Sequence, residues 1–285
     1  FLHVYAYTYD WEEHDSFYID LETMKQIDAK EVLKRLDIEE DFFLEGVRAY
    51  AEECFVDTFS ELEEEYREDY GYYDCLEQTI SNIQLLEPHG VDYFLVVVPY
   101  YNKPPQEGMY QYYKAVAAAT QKPVVLYNVP GRTGVNMTAE TTLRLAEIDN
   151  IVAVKEASGN RTQILEILEK RPEGFVVLSG NDDETLDLMK NGAEGIISVA
   201  SNVTPSMVAE LAHDMLEGKV AEAEALHDRL LPLFRNCFVE SNPIPAKAAL
   251  HAMGFIQNEM RLPLVPASQP AYDLMAATIK DLGLL

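Results

Sequence analysis

"IVAVKEASGNRTQILEILEKR", residues 151–171, opens on an unbroken apolar run and then changes to helical spacing. A continuous apolar strand, as opposed to an alternating one, followed at once by an amphipathic helix is the signature of a parallel strand covered on its faces. One residue is out of place. Lys155 ends the apolar run, where an ammonium is costly unless it is paired, snorkels to water or performs chemistry.

The same unit recurs on both sides. "VDYFLVVVPY" (91–100), "PVVLYNV" (123–129), "FVVLSGN" (175–181) and "GIISVAS" (195–201) read as buried strands. "MYQYYKAVAAAT" (109–120), "TAETTLRLAEI" (138–148, with a Thr cap), "RTQILEILEKR" (161–171) and "DETLDLMKNG" (183–192) read as the helices between them. Five strands at this spacing in residues 91–201, with 90 residues upstream for three more units, predict an α/β fold, a (β/α)₈ barrel. Beyond residue 203 only helices follow: 204–218, 220–236, 244–255 and 271–283. The expected organisation is a barrel over 1–218 and a C-terminal helical domain over 219–285.

The N-terminal third departs from this pattern. The net charge is −27, and residues 1–90 carry 25 acidic and 6 basic side chains against 24 and 16 in the remainder. That third also holds nine of the 17 tyrosines and a single proline, Pro88. Residues 1–9 read as a strand, 20–36 as a helix capped by Asp20, and 42–69 as largely helical. The acidic balance excludes a nucleic-acid binder. No apolar run reaches membrane length, and the first residues lack a signal-peptide pattern. Cys54, Cys75 and Cys237, odd in number and far apart, suit reduced thiols in a cytoplasmic protein. The six histidines lack ligand spacing, so no metal is expected.

Barrel enzymes place their chemistry at the carboxyl ends of the strands. Those ends here supply Tyr100 and Tyr101, Tyr127, Arg132 in "PGRTG", Lys155, the "SGND" residues Gly180, Asn181 and Asp182, and "SVASN". Desolvation lowers a lysine pKa and leaves a nucleophilic amine, suited to Schiff-base formation with a keto acid. The alternatives for Lys155 are snorkelling or pairing with Glu156. Tyr101 and Tyr127 suit proton relay, or packing. Arg132 suits a bidentate carboxylate contact, or a loop salt bridge. "GRTG" lacks the spacing and lysine of a phosphate loop.

Taken together, "VVVPYYNKPPQEG", "VVLYNVPGRTG", "VAVKEASGN", "SGNDD", "GIISVASN" and "NPIPAKAAL" closely resemble the dihydrodipicolinate synthase family over about residues 89–268. The resemblance implies a (β/α)₈ barrel with a C-terminal helical extension. It also implies a Schiff-base lyase that condenses pyruvate with aspartate 4-semialdehyde in lysine and diaminopimelate biosynthesis. No cofactor is implied, and the assembly is a tight dimer or homotetramer. Lys155 matches the Schiff-base lysine, Tyr127 the phenol beside it, and Tyr101 the tyrosine that reaches across the dimer. Arg132 matches the carboxylate receptor, while Ile197, Gly180 and the polar residue at position 182 line the substrate site. Sibling pyruvate-dependent aldolases share the lysine chemistry.

The family's Gly-Thr-Thr-Gly-Glu stretch should fall near residues 37–41, which read "DIEED". Acidic groups there would repel anionic substrates. Most of the family's lysine-feedback residues belong to the same third, and only Tyr100 matches. The acidic "ELEEEYREDYGYYD" (61–74) motivates a second reading, a non-catalytic interaction protein, against a plain solvated helical face.

Overall fold

The computed structural model describes residues 70–285 together with three strand segments nearer the N-terminus, and it forms two compact units, Phe1–Tyr70 and Gly71–Leu285. In the first unit β1 (Leu2–Tyr7), β2 (His14–Asp20) and β3 (Lys25–Ile27) pair antiparallel in that order. Leu2 lies opposite Ile19, and Tyr18 opposite Ile27. The strand expected at the N-terminus is present. Of the helix expected over 20–36, the described residues are extended instead: Asp20 ends β2, and Lys25–Ile27 joins the ladder, whose backbone hydrogen bonds outweigh a weak local helix preference, while residues 21–24 lie outside the described residues. Consecutive antiparallel strands are not β/α units. Residues 28–36, the helical reading of 42–69 and the "DIEED" stretch lie outside the described residues.

The second unit takes in α1 (Tyr70–Leu86) from Gly71 onward and continues as the regular beat. Strands β4 (Phe94–Val97), β5 (Val124–Asn128), β6 (Ile151–Glu156), β7 (Val176–Ser179) and β8 (Gly195–Ile196) form one parallel sheet in sequence order. Between them stand α2 (Gln106–Ala118), α3 (Ala139–Leu145), α4 (Arg161–Lys170) and α5 (Thr185–Lys190). The expected five β/α units over 91–201 are all present, in barrel order.

Local chemistry sets their ends. The Thr138 hydroxyl accepts from Thr141 N at 3.3 Å and caps α3, and the Asn160 side chain accepts from Gln163 N at 3.2 Å and caps α4. Ile164 and Ile167, one turn apart on α4, are both fully buried, each contributing roughly 1.5–3 kcal/mol of apolar burial. Tyr113 of α2 is buried and donates its hydroxyl to Val96 O at 2.9 Å, which fixes α2 against β4.

The sheet is not equally covered on its two faces. Phe94, Val96, Val124, Leu126, Val154 and Val177 pack against the helices in one core. The alternate positions, Leu95, Val125, Ala153, Val176 and Leu178, line a cavity of about 620 Å³ with Ile197. This is the concave face of the barrel wall. Leu95 is 45% exposed on it, so the face expected to be wholly covered is open among the described residues.

After β8 the chain is helical: α6 (Pro205–Leu216), α7 (Val220–Asn236), α8 (Ile244–Ala252) and α9 (Gln269–Asp281). Val208 and Leu211 of α6 share a second core with Leu230 and Leu233 of α7 and with Met275 and Ile279 of α9. The C-terminal helices are thus anchored through the last barrel helix. Among the described residues no helix is long and apolar enough to cross a membrane.

Candidate active site

Parallel pairing brings the carboxyl ends of β5, β6 and β7 into line. Tyr127 lies opposite Lys155, and Lys155 opposite Leu178. Side chains alternate along a strand, so Lys155 shares the concave face with Ala153, one pleat beyond the apolar cavity. The lysine is only 9% exposed, which removes the snorkelling alternative. Its Nζ stands 4.2 Å from the centre of the Tyr127 ring. Burial holds the amine pKa below its ordinary value; the Asp182 carboxylate pulls it back up, and the Arg132 guanidinium pushes it further down.

Pairing with Glu156 does not occur either. As the next residue on the strand, Glu156 faces the opposite side and is completely buried. Its carboxylate accepts from Asn128 Nδ2 at 3.1 and 3.2 Å, from Ser158 N at 2.8 Å and from Gln163 Nε2 at 3.3 Å. Asn128 Oδ1 in turn accepts from Met137 N at 3.0 Å. Burial raises the Glu156 pKa, and the hydrogen bonds oppose that rise. The sequence offered no cue to this network, because its members come from two successive β/α units.

The phenol of Tyr127 is half-buried; burial raises its pKa, and the nearby Arg132 charge lowers it. Arg132 sits on a single helical turn, Pro130–Thr133, that ends at Gly134 with φ 72°. That left-handed residue stops the turn one residue after the arginine, at Thr133. Arg132 Nη2 donates to Asn242 O at 3.3 Å, in the "NPIPAK" stretch before α8, and among the described residues it pairs with no carboxylate side chain. The loop salt bridge considered for it is therefore replaced by one backbone contact on an otherwise exposed guanidinium.

On the β7 side the chain passes unusually close. Gly180 N donates to Glu156 O at 2.8 Å, and a Cβ on Gly180 would lie 2.6 Å from Ala157 Cβ and 3.2 Å from Lys155 Cε. Only glycine fits there. Position 182, expected to line the substrate site, is Asp182, whose carboxylate is 1% exposed and turned toward the chain after β8. It accepts from the Ser198 hydroxyl, and from Val199 N and Ala200 N at 3.1 and 3.2 Å. Capture of those amides ends β8 after two residues, well short of the expected strand to 201. The asparagine of the motif, Asn181, donates through Nδ2 to Glu184 at 2.7 Å and stays within its own loop. Ile197 N donates to Ser179 O at 3.0 Å, so any backbone contact from Ile197 to a substrate runs through its carbonyl.

Tyr101 stands apart from this cluster. It is 81% exposed and holds φ 69°, a left-handed conformation that a tyrosine adopts only under constraint. Among the described residues no group of three or more His, Cys, Asp or Glu is placed to hold a metal ion.

Residues 74–282 match the sequence profile of the dihydrodipicolinate synthetase family. The chain belongs to that family. The 4-hydroxy-tetrahydrodipicolinate synthase of Parabacteroides distasonis is 48% identical over 212 residues, covering 74% of this chain and 71% of the relative. Crystal structures show the same likeness. Dihydrodipicolinate synthase from Thermotoga maritima matches with a TM-score of 0.72 at 46% identity, over 74% of this chain and 72% of that one. The chloride-inhibited enzyme from Acinetobacter baumannii, complexed with pyruvate, matches with a TM-score of 0.72 at 40% identity, over 74% and 72%. The family match starts before residue 89, where the motifs begin, and takes in most of α1, a helix whose register no motif revealed.

Proposed function

We propose that this chain is a Schiff-base synthase that condenses pyruvate with aspartate 4-semialdehyde, giving 4-hydroxy-tetrahydrodipicolinate. One observation carries the reading: a desolvated lysine amine at the end of a barrel strand, 4.2 Å above a tyrosine ring and flanked by an exposed arginine. The family membership and the pyruvate bound by the Acinetobacter relative support the choice of keto acid.

In the reaction, the neutral Lys155 amine adds to the ketone carbon of pyruvate. The carbinolamine loses water to give an iminium, with the Tyr127 phenol passing the protons that the oxygen gains. The iminium withdraws electrons, so a methyl proton leaves and an enamine forms. The enamine carbon attacks the aldehyde of the second substrate, whose carboxylate is received by Arg132. The amine of that substrate then displaces Lys155 as the ring closes. The lysine itself is the electron sink, so no organic cofactor enters. Tyr101, exposed and in a left-handed conformation in the loop after β4, would by its family match complete the proton relay in a partner subunit of a tight dimer; its exposure supports that reading.

Sodium borohydride added with pyruvate tests the reading. A single irreversible adduct on the Lys155 peptide, absent from Lys155→Ala, is the expected result; an unlabelled protein, or equal labelling of the variant, overturns it. Sedimentation of the same sample reports the assembly, with a monomer opposing the proposed role of Tyr101.

A further inference from the structure

Asp182 is a fully buried carboxylate for which the condensation chemistry provides no role. Three observations place its loop beside the reacting amine. Glu156 and Ser179 pair across β6 and β7, and Gly180, two residues before Asp182, packs against Lys155 so closely that a Cβ would lie 3.2 Å from Cε. The chain from β8 crosses the same end, with Ile197 N bonded to Ser179 O. Directly after Ile197, Ser198 Oγ, Val199 N and Ala200 N all donate to the Asp182 carboxylate. Every partner is a donor: the Ser198 hydroxyl has its proton free for Asp182 because its oxygen accepts from Ser201 N at 2.8 Å. Burial raises the Asp182 pKa, and the three donors oppose that rise by favouring the ionised form.

We propose that Asp182 is a positioning residue that clamps the 198–200 turn onto the end of β7 and supplies the fixed negative charge against which the Lys155 cation, ammonium or iminium, is balanced. The chemical consequence rests on the Schiff-base reading; the charge balance itself does not. Among the described residues, the titratable and charged groups around Lys155 are the Tyr127 phenol on β5, Arg132 on the turn after β5, and Asp182 after β7, with Glu156 facing away on β6 itself. Asp182 is the acidic group of that described set that is not turned to the far side of β6. Without it, Lys155 is left between burial and a guanidinium, both of which expel its proton. The amine would then be free at lower pH, but the iminium would be held less firmly.

Asp182→Asn separates charge from shape. The amide oxygen can accept from the Val199 and Ala200 amides, while its nitrogen donates to Ser198 Oγ, so the clamp survives and the charge goes. Ser198→Ala does the reverse. Acetic anhydride labelling of Lys155, followed peptide by peptide by mass spectrometry across pH and without pyruvate, reads the amine directly. The expected inflection lies below 10.5 in the parent protein and lower still in Asp182→Asn, so that labelling below both inflections is faster in the variant by well over twofold. Ser198→Ala is expected to stay within about twofold, since an uncharged contact leaves the field in place. An unmoved inflection in Asp182→Asn overturns the proposal, and so does an equal shift in both variants, which would make the clamp alone responsible. If Asp182→Asn fails to reach the parent circular-dichroism spectrum, Asp182→Ser, which keeps a hydroxyl acceptor without the charge, takes its place under the same criteria. The borohydride and pyruvate experiment fails or succeeds separately, so loss of the Schiff-base reading and loss of this proposal are distinguishable.

Discussion

Lys155 and Tyr127 face each other across adjacent parallel strands, with the lysine nitrogen 4.2 Å from the centre of the phenol ring. The contact favours the ammonium by cation–π attraction, while burial favours the neutral amine. Burial wins, since the amine is held below its ordinary value. The pair therefore combines a nucleophile that sheds its proton readily with a hydroxyl-bearing ring in fixed register.

Tyr127→Phe keeps the ring and removes the hydroxyl. Turnover is expected to fall by about 10²–10⁴, the contribution of a positioned proton-transfer group, while the borohydride adduct on Lys155 still forms. Steady-state rates with both substrates check this, and a phenylalanine variant with parent turnover would remove Tyr127 from the relay.

Arg132 lowers the pKa of Lys155 and of Tyr127 alike. Removing its charge in Arg132→Met should move the Lys155 inflection upward, toward 10.5, and the Tyr127 inflection further above 10.0. Near neutral pH the adduct then forms more slowly because less free amine is present. Peptide labelling for the lysine and ultraviolet difference titration for the phenol measure the two directions; a downward move of either contradicts the geometry.

Gly180→Ala forces a methyl group to within 2.6 Å of Ala157 Cβ and 3.2 Å of Lys155 Cε. Backbone on both sides must shift, and overpacking of this kind costs about 1–3 kcal/mol. A lowered melting temperature together with loss of the Lys155 adduct is expected. A variant that is less stable yet traps pyruvate normally would show that the close approach serves packing alone.

Glu156 tests the buried network through pH. Its folded-state pKa is raised above 4.5, so the folded chain binds its proton more tightly than the unfolded chain. The stability linked to that proton is fully present below 4.5 and is lost as the pH rises through the folded-state value. Relative to Glu156→Gln, which cannot titrate, the parent protein should lose stability across that window. Urea unfolding of both at about pH 4 and pH 7 measures the difference, and a difference constant with pH would place the carboxyl outside the low-dielectric core.

The amino-acid sequence by itself determined the β/α beat from residue 91 onward and the helical C-terminal region. It also marked the strand-end residues Lys155, Tyr127, Tyr101 and Arg132. These follow from apolar periodicity and chain order, which are local properties, and α7 was legible to the residue for that reason. Only the tertiary structure decided which side of β6 each charge occupies. Lys155 and Glu156 are neighbours in sequence, yet the pleat sends one to the concave face beside Tyr127 and the other into a network with Asn128, Ser158 and Gln163. Asp182 looked like one polar group among several in "SGNDD" until the fold brought three donors of a later loop onto its carboxylate. The antiparallel β1–β3 ladder likewise displaced a helical reading at Asp20 and Lys25–Ile27, because strand pairing depends on partners that local propensity does not see.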